Sequence, residues 1–290
     1  MISLAEVASQ LLNGLVLGFL YALIALGFML IIGVMGVINF SHGVLFAWGA
    51  YFAFTLRPLI GFWPALLISP FLVGIMGLIL EIAVRRSYGK DPLFGLLLTS
   101  GSAMALEEII RMIWGSIGHT FAAPSFVSGP FDFGFMPYSK YRLFLAGLSV
   151  ILILLVWLFL EKTPYGAIIK AGAFDSEMVM ALGIDLRRLR TIVFGMGTAL
   201  AGVAGVIAAP LWSIKPTMGG EAIMPAFVVV VIGGVGSFWG SILGGLIVGI
   251  GTSISVMFMP RTSMIIMYVL MAIIILIRPR GIMGEKSILE

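Results

Sequence analysis

Residues 9–32 form a run of 24 without one formal charge, long enough to cross the hydrocarbon core of a bilayer as a helix. Mostly apolar runs recur at 40–57, 61–83, 93–114, 143–160, 189–210, 223–236, 241–259 and 262–277. Nothing else in the chain constrains its fold so strongly, because in lipid every backbone polar group must be satisfied inside a helix or a closed barrel. Barrel strands alternate apolar and polar residues, and these runs do not. The 223–236 run is short and broken by glycine, so the sequence predicts eight or nine spans. Composition agrees: 61% of residues are hydrophobic and 10% charged, against about 45–50% and about 25% in soluble domains. A soluble protein of this size would have too little charge to cover its surface, and such hydrophobicity also excludes a disordered chain. The expected fold class is all-α, a polytopic transmembrane helical bundle forming one membrane domain over residues 1–290.

Several chemistries are excluded next. There is no cysteine, and the only histidines, His42 and His119, are too few for a metal cluster. No metal site and no cofactor are expected. No phosphate loop occurs, since the only Gly-Lys pair, Gly89-Lys90, is followed by Asp91. Neither a nucleophile elbow nor a zinc-protease helix is present, so the chain reads as a non-enzyme. If it moves a solute with ATP, another chain must carry the nucleotide site. The first basic residue is Arg57, which leaves no charged region for a cleavable signal peptide.

Residues 33–51 place polar Asn39, Ser41 and His42 between two apolar runs, with Gly33, Gly36 and Gly43 around them. Two readings fit. One is a broken or re-entrant helix lining a path, because irregular backbone survives in a membrane only where protein or a water-filled cavity satisfies it. The other is a tight turn at the membrane surface with Asn39 or Ser41 as N-cap.

From Leu12 the chain reads L-N-G-L-V-L-G-F-L-Y-A-L-I-A-L-G-F, followed later by I-N-F-S-H-G at 38–43. Further on come A-L-G-I-D at 181–185 and G-G-V-G-S-F-W-G-S-I-L-G-G at 233–245. With these segments the sequence resembles the branched-chain amino-acid permease family, the membrane subunits of ABC importers of the Liv type. Ser41 departs from that pattern, where alanine is usual, and so does the stretch K-A-G-A-F-D-S-E-M. The resemblance implies a bacterial inner-membrane importer with a second permease subunit, two cytoplasmic ATPase subunits and a periplasmic or lipid-anchored substrate-binding protein. It also implies branched-chain or related amino acids as cargo. Another small solute (urea, an amide, a carboxylate or a sugar) and a self-sufficient secondary transporter are the alternatives.

The connection at about 161–188 contains Phe174, Met178, Ala181 and Leu182 at i, i+4, i+7 and i+8, one face of a short helix that Gly183 would stop. Spacing alone fits a helix lying on its own bundle. The resemblance implies instead a coupling helix that docks in a groove on an ATPase. Gly197 and Gly205, with Ala201 between them, and the series Gly236, Gly240, Gly244 repeat every four residues, a spacing that lets helices approach closely in lipid. They fit packing within the chain or against a second permease. Glu107, Glu108 and Arg111 read as the only charges well inside a predicted span. They suit either a polar path or an i, i+4 structural pair. The outer connection at about 115–142 carries Phe121, Phe126, Phe131, Phe133, Phe135, Tyr138 and Tyr141. These aromatics suit an interfacial belt or a docking surface for the binding protein.

Charge sets the expected orientation. The net charge of +4 reports topology in a bilayer and not nucleic-acid binding. Alternating nine spans puts eleven basic residues on one side, among them Arg85, Arg86, Lys90, Lys162, Lys170, Arg187, Arg188 and Arg190. Five lie on the other: Arg57, Lys140, Arg142, Lys215 and Arg261. The richer side should be cytoplasmic, with the N-terminus outside and the C-terminus inside. A cysteine introduced at Lys140 should therefore react with an impermeant maleimide in intact cells, whereas one at Lys90 or Lys286 should resist it. Labelling at position 90 from outside would overturn this orientation.

Overall fold

The computed structural model describes residues 4–134 and 136–284; Phe135 and Lys286 lie outside the described residues. Each predicted apolar run is a helix. In order they are α1 (Leu4–Met35), α2 (Ser41–Ile60), α3 (Phe62–Val84), α4 (Pro92–Trp114), α5 (Lys140–Lys162), α8 (Leu186–Trp212), α9 (Met218–Gly233), α10 (Phe238–Phe258) and α11 (Ile265–Ile277). Two shorter helices, α6 (Pro164–Phe174) and α7 (Ser176–Ala181), lie between α5 and α8. Seven of the nine apolar helices have the length and hydropathy to span a membrane. The other two, α9 and α11, have 16 and 13 residues and fall short of about 20.

Short polar signals set the boundaries. Asp91 caps α4 by accepting the Leu93 N–H at 2.9 Å, with proline opening the helix. Thr163 does the same for α6, accepting from Gly166 N–H at 3.2 Å ahead of Pro164. Ser237 accepts from Gly240 N–H and opens α10. Pro164 and Gly166 thus follow the end of one helix and sit in the first turn of the next, so much of the 161–188 connection is helical. The connection at 115–142 holds a feature that hydropathy does not signal, a short ribbon of β1 (Pro130–Asp132) against β2 (Pro137–Ser139), antiparallel with Phe131 opposite Tyr138.

The helices form two compact groups. One comprises residues 26–121 and 153–223, in which α8 packs most extensively on α3 and α2. Glycine lets these backbones meet. A Cβ on Gly205 would collide with the Phe46 carbonyl oxygen, and one on Gly49 with that of Gly202. Gly27 faces Gly197, and Gly43 faces Gly219, in the same way. Contacts at the ends of this group also sort by side. Thr55 meets Trp114, Arg57 stands over the Phe121 ring and His119 bridges to Ile214 at one set of ends. Glu81 meets Thr191, and Arg190 stands over Tyr88, among residues assigned to the other.

The second group comprises, among the described residues, 4–25, 122–134, 136–152 and 224–284. Here Gly14 and Gly18 of α1 meet the backbone of α10 at Ile250 and Leu246, and Gly244 meets the Val229 carbonyl of α9. Gly233 and Gly240 face each other. Gly236 departs from the expected stripe: it sits in the turn before α10 with φ +83° and nothing near its Cβ position. It supplies a left-handed backbone there and packs no helix.

Gly205→Leu should prevent α2 and α8 from closing, because the obstacle is backbone and cannot rotate away. Overpacking of this kind typically costs about 1–3 kcal/mol or more. A lower melting temperature and reduced membrane yield should follow, read against Gly101→Leu, whose Cβ position has open space.

Candidate functional site

Between α1 and α2 the backbone leaves the helix from Gly36 to Phe40. Asn39, Ser41 and His42 are all fully buried, whereas Gly36 at the start of the break is exposed and Ile38 and Phe40 are half-buried. Neither Asn39 nor Ser41 is the N-cap of α2: that position is Phe40, which makes no side-chain cap bond, and Asn39 Oδ1 one residue earlier accepts the Ser41 N–H at 3.1 Å. Across from the break stands Thr99 of α4. Its Oγ1 accepts the Phe40 N–H at 3.1 Å and lies 3.1 Å from the Ile38 carbonyl. The Ser41 hydroxyl donates to the Thr99 carbonyl at 2.7 Å. The Asn39 Nδ2 is buried without a hydrogen-bond partner. An idle amide donor in the interior costs free energy, which makes Asn39 the polar group here with capacity to spare. The His42 ring lies against Phe28, with centroids 5.6 Å apart.

Nothing in the sequence singles out Thr99. A lone threonine in an apolar helix ordinarily bonds its own preceding turn, as this one does at the Gly95 carbonyl, 2.9 Å away. Only the fold reveals its second use.

The helix expected at 174–182 divides in two. Asp175 adopts an extended backbone (φ −144°, ψ 94°), ends α6 at Phe174 and caps α7 by accepting the Met178 N–H. Phe174 therefore does not share a helix with Met178, because the Asp175 side chain competes for the backbone donors that a continuous helix would use. Met178, Ala181 and Leu182 nevertheless face outward with Phe174; Met178 is 59% and Leu182 72% exposed. The inward anchor is Val179, 3% exposed, which lies off the face that spacing marks out. Leu182 is the C-cap, and Gly183 follows at φ +81°, where its N–H reaches the Met180 carbonyl. Only glycine takes that position without strain.

Glu107 and Arg111 pair at 2.5 Å and Arg111 also reaches Glu108 at 3.5 Å, with all three at least partly exposed. This triad is satisfied along one helix. The more deeply placed charge is Glu81 near the end of α3, fully buried, which corrects the view that the α4 triad holds the only charges within spans. Arg85 donates to its Oε2 at 2.7 Å, Thr191 to the same oxygen at 3.1 Å and Tyr88 to Oε1 at 3.3 Å. Burial, the Glu81 charge and the hydrogen bond to it push the Tyr88 phenol up, against the lowering effect of Arg190 and Arg85. Tyr88 thus stays a donor throughout the neutral range. The E-x-x-x-R spacing at 81–85 was the available signal, the same that marked 107–111.

In the connection at 115–142 Phe121, Tyr138 and Tyr141 are buried, whereas Phe126, Phe131 and Phe133 are exposed. The Tyr138 hydroxyl and Arg142 both donate to Asn13 Oδ1. Burial pushes the Tyr138 phenol up, opposed by Arg142.

Glycine-packed apolar helices, seven of them long enough to span a bilayer, define a polytopic helical membrane protein. The sequence matches the family described as "branched-chain amino acid transport system / permease component" over residues 10–275. The chain belongs to that family. It is 31% identical to the high-affinity branched-chain amino acid transport system permease protein BraD of Pseudomonas aeruginosa, covering 96% of each chain. It is 29% identical to LivH of the same-named system in Escherichia coli K12, again over 96% of each. To LivM of that organism it is 24% identical, over 92% of this chain and 68% of LivM.

Proposed function

We propose that this chain is a permease subunit of an ATP-driven importer and provides the path for branched-chain or related amino acids. The observation that carries this reading is the match along 96% of the chain to permease proteins of branched-chain amino acid transport systems. ATP hydrolysis falls to separate cytoplasmic subunits, and cargo arrives on a substrate-binding protein. Escherichia coli K12 has both a LivH and a LivM permease protein, and the chain resembles LivH over nearly its whole length but LivM over only 68% of it. That difference supports pairing with a second, longer permease.

The break at Gly36–Phe40 is the proposed path element, supported by the burial of Asn39, Ser41 and His42 and by the idle Asn39 amide. The cytoplasmic face is the one bearing Arg85, Arg86, Lys90 and α6–α7. Its assignment is supported by the basic asymmetry and by the way same-side residues meet, as Glu81 meets Thr191. The exposed aromatics Phe126, Phe131 and Phe133 are the proposed contact for the binding protein.

Asn39→Ser separates the path role from the local turn. A serine hydroxyl can accept the Ser41 N–H in place of Asn39 Oδ1, so the amount and melting temperature of the protein should stay near wild type. Uptake of labelled leucine should nonetheless fall by about tenfold, the equivalent of one lost hydrogen bond. Wild-type uptake would reduce Asn39 to a turn residue.

The ATPase contact is proposed at α7, where exposed Met178 and Leu182 enter a partner groove while Val179 holds the helix to its own chain. Met178→Arg would bury a charge in that groove with no partner to offset its desolvation. Loss of such an anchor typically costs about 2 kcal/mol or more. When expressed with its partner chains, the variant should reach the membrane normally but lose ATPase subunits on purification, and uptake with them. Retention of both at wild-type levels would reject the contact.

A further inference from the structure

Beside α7 lies a cavity of about 610 Å³ between the ends of α3 and α8. Its charged and polar lining consists of Glu81, Arg85, Tyr88, Asp185, Arg187 and Arg190. Both carboxylates are already committed. Glu81 accepts from Arg85, Tyr88 and Thr191. Asp185 caps α8 by accepting the Arg187 and Arg188 N–H groups, and pairs with the Arg188 side chain at 3.0 Å. Among the described residues no carboxylate is left within ion-pair distance of Arg187 or Arg190. The Arg190 guanidinium stands 5.4 Å over the Tyr88 ring, and its Nε has no hydrogen-bond partner. The cavity therefore carries two guanidinium groups whose charge nothing in it neutralises.

An apolar stripe runs along α3 toward the residues that line the cavity. On α3, Ile75, Leu78, Ile79 and Ile82 are exposed at helical spacing and end one turn or less from Glu81 and Arg85. In a bilayer that stripe meets acyl chains. A molecule with an acyl tail and an anionic head would occupy stripe and cavity together, which a free anion would not.

We propose that this cavity binds the phosphate head group of an acidic phospholipid, with Arg187 and Arg190 as its ligands and the α3 stripe under its acyl chains. Guanidinium forks match phosphate oxygens in pairs, and basic pockets between membrane helices suit such head groups. Bound lipid would sit against Gly183 and Asp185, at the hinge between α7 and α8. The site is separate from the proposed cargo path and adjoins the proposed ATPase contact at α7.

The test uses the protein purified in mild detergent with the partner chains that accompany it, then exposed to phosphatidylglycerol and phosphatidylethanolamine in equal amounts. Native mass spectrometry reads the lipid retained. Wild type should keep phosphatidylglycerol in preference, and the Arg187→Gln/Arg190→Gln variant should lose about tenfold or more of it, as expected for loss of charge-assisted bonds. Arg187→Lys/Arg190→Lys keeps the charge without the fork and should retain an intermediate amount, which also guards against misfolding of the glutamine variant. Arg86→Gln, at an exposed cation outside the cavity, should retain lipid fully. Equal retention in wild type and the glutamine variant overturns the proposal, as does equal loss in Arg86→Gln. Displacement of the lipid by millimolar inorganic phosphate would assign the cavity to a free anion. Unchanged lipid with loss of the ATPases in the glutamine variant would make it part of the docking surface. Either result overturns the lipid assignment.

Discussion

Backbone against backbone, with no side chain between, is the contact on which the buried core of this protein depends. In water, helices associate because apolar faces leave solvent; in lipid that drive vanishes, and close van der Waals approach must replace it. The meetings of Gly205 with Phe46, Gly49 with Gly202, Gly27 with Gly197 and Gly43 with Gly219 supply it along α8, α9 and the first two helices. Each glycine that serves in this way gives up some helix propensity, about 1 kcal/mol relative to alanine. The arrangement is stable because a membrane helix satisfies its own backbone whatever its side chains, so propensity matters less there than proximity.

Such close packing is also what makes the break between α1 and α2 tolerable. Irregular backbone of this kind is costly facing lipid. Here Asn39 is fully enclosed, and Thr99 accepts one of the freed donors and lies near a freed carbonyl. Two separate parts of the chain contribute. The segment I-N-F-S-H supplies residues that do not insist on a helix, and α4 supplies a hydroxyl at the right height. The amide left idle on Asn39 is then a consequence of packing this polar segment where water does not reach.

What the sequence made legible was hydrophobic length. All nine apolar helices lie where the runs predicted, because a stretch of such residues has no other stable arrangement in a bilayer. Less legible were the features that depend on which neighbour arrives. Gly236 and Gly240 look alike in a four-residue series, yet one is in a turn and one in a helix, because Ser237 caps between them. Phe174 and Met178 have helical spacing, yet Asp175 interrupts it with a side-chain bond that spacing alone cannot reveal. Glu81 reads in sequence as the end of an apolar run; its burial follows from Thr191, more than a hundred residues away. Thr99 and Val179 give the same lesson. A polar or apolar residue has a readable type, but its partner is a property of the fold.

These partners form one connected series within the group of residues 26–121 and 153–223. Val179 fixes α7 to its own chain, the short turn at Gly183 leads into the capped start of α8, and Glu81 ties the first turns of α8 to α3 through Thr191. Further along, α8 meets α2 at Gly205 and α1 at Gly197, on either side of the break. A flexible link anywhere in this series would absorb a displacement applied at α7. The short turn does not, because its glycine and the isoleucine after it are held by bonds to the Met180 and Val179 carbonyls. Nor do the glycine contacts, where backbone meets backbone and no side chain can rotate to take up the movement. Under the proposed ATPase contact, this series of contacts connects exposed Met178 and Leu182 to the helices that flank the break.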